Sequence, residues 1–132
     1  AEISGELAKF PNAMVLFRDG LPVTFCVAAH HPIGDCGAER LAAAIELRTV
    51  KKLFLHSSGI GDRGVEALAA SPNVAAVVEL DLSGNRLTSR SVAALIASPH
   101  LTNIERLDLR GTGLGRRSHR QLQEHFGDRV LL

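Results

Sequence analysis

The sequence predicts an α/β solenoid, a single array in which short parallel strands form one sheet and helices cover one side of it. The first observation is a repeat, because apolar residues return every 27 positions at Val50, Val77 and Ile104. The second is that two further apolar columns follow, three and five residues after the first. Such a fixed period is typical of solenoids, in which each repeat buries its apolar side against the next. The columns are Val23, Val50, Val77 and Ile104; Cys26, Leu53, Leu80 and Leu107; and Ala28, Leu55, Leu82 and Leu109.

Residues 1–22 do not follow the period, and we expect them to cap the first coil or to be the remainder of an earlier repeat. Residues 13–17, Ala-Met-Val-Leu-Phe, predict a strand because they are mostly apolar and β-prone. Residues 18–20, Arg-Asp-Gly, predict a tight turn that leads into the first row. A terminal coil needs such a cover because it would otherwise expose its apolar face.

Each row is predicted to run from a strand through a turn into a helix and back. Leu53 and Leu55 alternate as in a strand, whereas Val65, Leu68 and Ala69 have helical spacing. Side chains that carry oxygen stand at the predicted helix starts, where they can accept hydrogen bonds from unpaired backbone N–H groups. These predicted caps are Asp35, Asp62, Thr88 and Ser89.

The third row, residues 77–87, reads V-V-E-L-D-L-S-G-N-R-L and resembles the leucine-rich repeat, L-x-x-L-x-L-x-x-N-x-L. The variable half at residues 61–68 resembles the helical type found in ribonuclease inhibitor-like proteins, and the segment 126–132 resembles the ending of bacterial leucine-rich repeat proteins. The resemblance implies a right-handed solenoid with its sheet on the concave side and its helices on the convex side. It also implies that Asn85 turns inward and bonds the backbone of adjacent turns. Because proteins of this family share a scaffold and bind unrelated partners, the fold alone does not name the partner.

Length, charge and cysteine content narrow the possible functions. A chain of 132 residues can build one modest core but not two. Its 15 basic and 14 acidic residues give a net charge of +1, so no overall field draws it to nucleic acid or a membrane. We expect Cys26 in the core and Cys36 on the surface without a disulfide, and we see no secretory leader, so we expect a cytoplasmic protein. The predicted single domain, 1–132, has a cap at 1–22, repeats at 23–49, 50–76, 77–103 and 104–126, and a C-terminal end at 127–132.

The residues that flank the inward leucines are predicted to lie on the concave face, where proteins of this family usually bind. We expect a cluster of Phe25, Val27 and Phe54 to form an apolar contact centre with charges around it, unless the segment 14–17 covers it. The predicted function is therefore non-catalytic binding of a protein partner, within a larger chain or complex and with no cofactor. The predicted partner-binding residues are Phe25, Val27, Lys52, Phe54, His56, Glu79, Asp81, Arg106, Asp108 and Arg110.

Three alternatives stay open from the sequence. The chain can be a purely structural spacer or capping domain of a larger protein. His30, His56 and Cys36 are ligand and nucleophile types, so they can form a metal or catalytic site, although their spacing matches no compact motif. Exposed arginines can form a ridge for an acidic peptide or a nucleic-acid backbone, but no aromatic residues accompany them to stack bases. That ridge consists of Arg63, Arg90 and Arg117, joined by Arg86 and Arg116.

Overall fold

The computed structural model describes residues 5–10, 12–28 and 32–132 and consists of six strands and four α-helices within them. Short 3₁₀ turns at Gly5–Lys9, Ile45–Thr49, Pro72–Val74 and Gly127–Arg129 connect several of these elements. The strands are β1 (Met14–Arg18), β2 (Leu21–Cys26), β3 (Lys52–Phe54), β4 (Glu79–Asp81), β5 (Arg106–Asp108) and β6 (Val130–Leu131). The helices are α1 (Gly34–Ala42), α2 (Asp62–Ala70), α3 (Ser89–Ala97) and α4 (Arg116–Phe126).

All six strands form one sheet in the order β1-β2-β3-β4-β5-β6. β1 is antiparallel to β2, and every later pair is parallel. Leu53, Leu80 and Leu107 pair side by side, as the period of the sequence requires, and all three are buried. The buried leucines of the strands and the inner faces of the helices form a single core. The predicted fold class, an α/β solenoid with helices on one side of a parallel sheet, is confirmed.

The first row of the repeat lies one residue out of the predicted register. Phe25, rather than Cys26, pairs with Leu53, and Cys26 pairs with Phe54. The helices return to the predicted register, since Leu41 is buried in α1 as Leu68 is in α2. The segment from Phe25 to Leu41 therefore holds one residue more than the segment from Leu53 to Leu68. The sequence also predicts Ala29 on the concave face and His31 in the same column as Asn85. These two residues and His30 lie outside the described residues.

Two of the predicted helix caps, Asp35 and Asp62, act on the following coil rather than on their own helix. Asp35 lies in α1, but its Oδ1 accepts hydrogen bonds from the backbone N–H groups of Gly61 and Gly64, 2.7 and 2.8 Å away at the start of α2. The carboxylate of Asp62 accepts from the backbone N–H and hydroxyl of Thr88 and from the hydroxyl of Ser91, at 3.0, 2.6 and 2.6 Å. These carboxylates link successive helices at their N-terminal ends, where a negative charge is favourable.

Thr88 does cap its own helix, because its hydroxyl accepts a hydrogen bond from the N–H of Arg90, whereas Ser89 is already the first residue of α3. At the C-terminal ends of α2 and α3, Ser71 and Ser98 link each helix to the preceding coil. Their hydroxyls donate to the carbonyl oxygens of Ala42 and Ala69 in the preceding coil. Both ends of the helical layer are thus held by polar side chains.

Asp62→Ala is expected to lower the free energy of unfolding at neutral pH by about 1 kcal/mol, as the loss of a helix cap does. Burial raises the pKa of Asp62, but the hydrogen bonds from Ser91 and Thr88 outweigh it and hold the pKa below its ordinary value. Because the pKa of Asp62 is lower in the folded state, its charged carboxylate stabilises the fold above the unfolded-state pKa of about 3.9. This stabilisation is lost as the pH falls through the folded-state pKa. The gap in the free energy of unfolding between wild type and variant should therefore narrow below about pH 4.

Urea unfolding of both proteins between about pH 7 and pH 3 measures this gap. The matched control is Asp128→Ala, because that carboxylate is exposed and the structure gives it no hydrogen bond or ion pair among the described residues. The control should be close to wild type at every pH. A gap for Asp62→Ala that does not change with pH would contradict the assigned role of its charge.

The two ends of the sheet are closed in different ways. The predicted strand and turn are confirmed as β1 and the turn at Asp19 and Gly20, with Val15 paired to Phe25 at this end of the sheet. At the other end, β6 pairs with β5 and places Val130 beside Leu107, earlier in the chain than the period would place it. This strand is not predicted from the sequence, because it is very short and falls outside the period.

Candidate functional site

The sheet face turned away from the helices, which we name the open face, corresponds to the predicted concave face. Side chains on either side of the inward leucines point to it, since successive residues of a strand alternate between faces. The strand register aligns these side chains in two rows that cross the sheet. The first row is Met14, Cys26, Phe54, Asp81, Asp108 and Leu131, and the second is Leu16, Thr24, Lys52, Glu79 and Arg106.

Phe25 and Val27 do not lie on the open face, which corrects two of the predicted partner-binding residues. Their exposed fractions are 0% and 4%, and they occupy the inward positions that the sequence analysis gave to Cys26 and Ala28. The ring of Phe25 packs edge-on against Phe10, with 5.5 Å between the ring centroids. The one-residue shift of the first row accounts for the error, because such a shift moves each side chain of a strand to the other face.

The apolar end of the open face is formed instead by β1 together with its two neighbouring strands. Met14 and Leu16 are 61% and 51% exposed, and Cys26 and Phe54 lie half-buried beside them in the first row. β1 is predicted from the sequence, but Met14 and Leu16 are not among the predicted partner-binding residues. Exposed and half-buried residues alternate along β1, so Met14 and Leu16 share its exposed face. The predicted strand, with its alternating faces, is the signal that could have identified them.

Two carboxylates occupy the centre of the first row. Asp108 is buried and receives hydrogen bonds from Nε and Nη2 of Arg110, at 3.0 and 2.8 Å. The pKa of Asp108 is lowered, mainly by the hydrogen bond from this guanidinium. The same contact raises the pKa of Arg110. The carboxylate of Asp108 is therefore already engaged within the protein.

Asp81 is the carboxylate that stays available. Its Oδ1 accepts from the backbone N–H and the hydroxyl of Ser83, at 2.9 and 2.6 Å, which fixes the orientation of the group. Within the described residues, Oδ2 has no hydrogen-bond partner. Asp81 neighbours Phe54 in the first row. The pKa of the Cys26 thiol is raised, first by its burial and second by the nearby charge of Asp81. The open face thus presents an oriented negative charge directly beside its apolar end.

The second row alternates in charge across neighbouring strands. Lys52 pairs with Glu79, and Glu79 pairs with Arg106, so a cation, an anion and a cation lie next to one another. His56 and Arg110 follow two residues after Phe54 and Asp108, half-buried and exposed respectively. Eight of the ten predicted partner-binding residues therefore lie on or next to the open face, and their role in binding stays a prediction.

The arginine ridge is partly neutralised by acids of the preceding coil. Arg63 forms a salt bridge with Glu39 at 2.5 Å, and Arg90 forms one with Glu66 at 2.6 Å. Arg117 follows Arg90 by one period, and Ala93 takes the position that corresponds to Glu66. Two members of the proposed ridge are thus already paired with carboxylates, which weakens the case for an acidic partner there.

The alternative metal or nucleophile site is predicted at His30, His56 and Cys36. Cys36 is exposed in the first turn of α1, and its sulfur lies 3.3 Å from Nη2 of Arg63. His56 is half-buried beyond β3, whereas His30 lies outside the described residues. In the part of the chain that the structure describes, no three His, Cys, Asp or Glu residues are grouped so that they could hold a metal ion.

Comparison with known proteins supports the repeat architecture. Residues 46–69 and 77–95 match the family model described as "Leucine Rich repeat". A solved structure titled "Leiomodin-1 Actin-Binding Site 2 (ABS2)" is similar, with a TM-score of 0.63 and 17% sequence identity over 77% of this chain. The similarity spans 62% of that chain, and at this identity it shows the fold alone. No curated protein matches the sequence. None of the described helices has both the length and the apolar character needed to cross a membrane.

Proposed function

We propose that this chain is a non-catalytic protein-interaction module that binds a protein partner through the open face. The observation that carries the proposal is the uncovered apolar end of Met14, Leu16 and Phe54 next to the oriented carboxylate of Asp81. The leucine-rich repeat fold and a structural neighbour whose title names an actin-binding site support a role in protein interaction.

The chemistry of the open face fits a protein surface that is both apolar and basic. Removing a Met or Leu side chain from water contributes about 1.5–3 kcal/mol, so Met14 and Leu16 can act as contact points. Phe54 supplies an aromatic group in a chain without Trp or Tyr. A partner's Lys or Arg side chain, or a backbone N–H, can donate to Oδ2 of Asp81 while its apolar side chains cover Phe54 and Met14.

Capture experiments with the purified chain as bait test this proposal. Met14→Ser, Phe54→Ala and Asp81→Asn, made singly and together, should reduce capture of the partner from a lysate of the source cells. The triple variant should abolish it. Asp81→Asn keeps an oxygen for the hydrogen bonds of Ser83, so it removes the charge with little change of the turn. Thermal unfolding of each variant checks that the fold is retained.

Two control variants make the result specific. Ile45→Ser removes a large apolar side chain that is 66% exposed but lies outside the strands, so it should leave capture unchanged. Arg90→Glu changes the helical side and should also have little effect. Capture that survives the triple variant would favour the structural-spacer alternative, whereas loss through Arg90→Glu would move the site to the arginine ridge and favour an acidic partner.

Three finer features belong to the same proposal. We propose the helical, ribonuclease inhibitor-like type of repeat, because a helix of nine to eleven residues follows each of β2 to β5. We also propose the bacterial type of C-terminal ending. A cytoplasmic location agrees with the two free cysteines of the chain, since secreted proteins of this size commonly form disulfides.

A further inference from the structure

A concave region separate from the open face lies at the sheet edge where β2 and β3 begin, beyond the residues that the proposed function uses. It is a groove of about 330 Å³, formed between the β1–β2 turn and the segment that returns from α1 to β3. The volume is at the lower end of the range for small-molecule sites. The residues that matter for its chemistry are Arg18, Asp19, Leu21, Val23, Arg48 and Lys51.

The groove has an excess of positive charge. Three cations, Arg18, Arg48 and Lys51, line it together with one acid, Asp19. Among the described residues, the side chains of Arg18 and Lys51 form no hydrogen bond or ion pair, and Asp19 forms no salt bridge with any of the three cations. This differs from Arg63 and Arg90, whose charges are offset by Glu39 and Glu66. The cations of the groove are therefore available to an external anion.

Arg48 is held in place by a buried amide. Its Nε donates to Oδ1 of Asn73 at 2.8 Å, and Nδ2 of Asn73 donates to the carbonyl oxygen of Ala42 at 2.9 Å. Since Asn73 is buried, it fixes the direction of the guanidinium. In the described structure the two terminal nitrogens of Arg48 have no partner, and the parallel N–H groups of a guanidinium suit phosphate and carboxylate oxygens.

The backbone around the groove is rigidly connected. The hydroxyl of Thr49 donates to the carbonyl oxygen of Pro22 at 2.6 Å, and the N–H of Lys51 donates to that of Val23 at 2.8 Å. These bonds join the returning segment to β2. Leu21 is 52% exposed and Val23 half-buried, so an apolar surface lies beside the cations. An anion bound there would keep an attached apolar group in contact with this surface.

We propose that this groove binds a small anionic group, a phosphate monoester or a carboxylate, that is carried on an apolar stem. The cations hold the anion, with the guanidinium of Arg48 already oriented, and Leu21 and Val23 contact the stem. The site is separate from the proposed protein-binding role of the open face. Either proposal can therefore fail without the other.

NMR titration of the isotope-labelled chain tests the groove with phenyl phosphate, benzoate and inorganic phosphate as probes. We expect saturable shifts of amide signals in residues 18–23 and 48–51, with phenyl phosphate or benzoate binding more tightly than inorganic phosphate. Tighter binding of phenyl phosphate than of benzoate identifies a phosphate site, and the reverse order identifies a carboxylate site. Absence of saturable shifts in these segments with all three probes overturns the proposal.

Variants that remove cationic charges distinguish binding in the groove from nonspecific electrostatic attraction to the protein. Arg18→Gln with Lys51→Gln should weaken binding about tenfold or more, because two charge-assisted contacts are lost. Arg48 is left unchanged, since it also bonds Asn73. The control, Arg117→Gln with Arg120→Gln, removes the same charge from exposed positions of α4 and should retain binding. Equal weakening in both pairs overturns the proposal.

Leu21→Ser tests the apolar part of the same site. It should weaken phenyl phosphate or benzoate several-fold and leave inorganic phosphate unchanged, because only the stem contacts this side chain. Unchanged affinity for all three probes overturns the assignment of an apolar stem. Thermal unfolding confirms that every variant keeps its fold.

Discussion

Asn85→Ala is expected to lower the free energy of unfolding by about 2–5 kcal/mol, because each buried backbone group that loses its partner costs about 1–3 kcal/mol. Oδ1 of Asn85 accepts from the N–H groups of Ser58 and Ile60, at 2.9 and 3.1 Å. Its Nδ2 donates to the carbonyl oxygens of Leu55 and Leu82, at 2.8 and 3.0 Å. One buried side chain thus connects two coils, and alanine replaces none of these bonds.

Urea unfolding at neutral pH measures the effect, and Asn103→Ala is the matched control. Nδ2 of Asn103 also donates to a carbonyl oxygen of the preceding coil, that of Ala75, at 2.8 Å. Because Asn103 is exposed, water can replace the bond, and the expected loss is within about 0.5 kcal/mol. Equal losses in the two variants would contradict the assigned role of Asn85.

The inward turn of Asn85, which its place in the third row implied, is confirmed, and so is the central part of the array. Its strands lie at the intervals of the repeat because each coil must bury the same columns against its neighbour. Ser58 and Thr112 occupy the asparagine column in adjacent rows. Within the described residues, their hydroxyls bond only inside their own turns, to the carbonyl oxygens of His56 and Leu109. The side chain of asparagine is longer, and that of Asn85 reaches the preceding coil.

The first row could not be placed by the period alone. Val23, Phe25 and Val27 alternate with Thr24 and Cys26, so two registers compete, and the period selects the wrong one. The larger apolar side chains are in fact inward, as burial favours, and the extra residue lies between this strand and Leu41 of α1. Side-chain size within the strand predicts this register better than the spacing between rows does.

The helix caps show a second limit of the sequence. Asp35 and Asp62 were recognised as acceptors for N–H groups at helix starts, and this chemistry is confirmed. Their partners lie one coil later in the chain, since the helices of successive coils are neighbours in space. A local rule identifies the residue type but not the helix that it serves. In the same way, the groove at Arg18, Arg48 and Lys51 joins segments whose proximity depends on how the coils stack.

Leu80→Ala is expected to lower the free energy of unfolding by about 2–5 kcal/mol, the range for a large-to-small change in a packed core. Leu80 is 2% exposed and lies between Leu53 and Leu107 in the central inward column. Because each coil of a solenoid contacts only its neighbours, a cavity at this position weakens the contact between the two halves of the array. Leu16→Ala makes the same chemical change at a half-exposed position of β1, so its loss should stay below about 1 kcal/mol. Thermal and urea unfolding of both variants measure the difference, and a loss below about 1 kcal/mol for Leu80→Ala would show that the column is not packed as described.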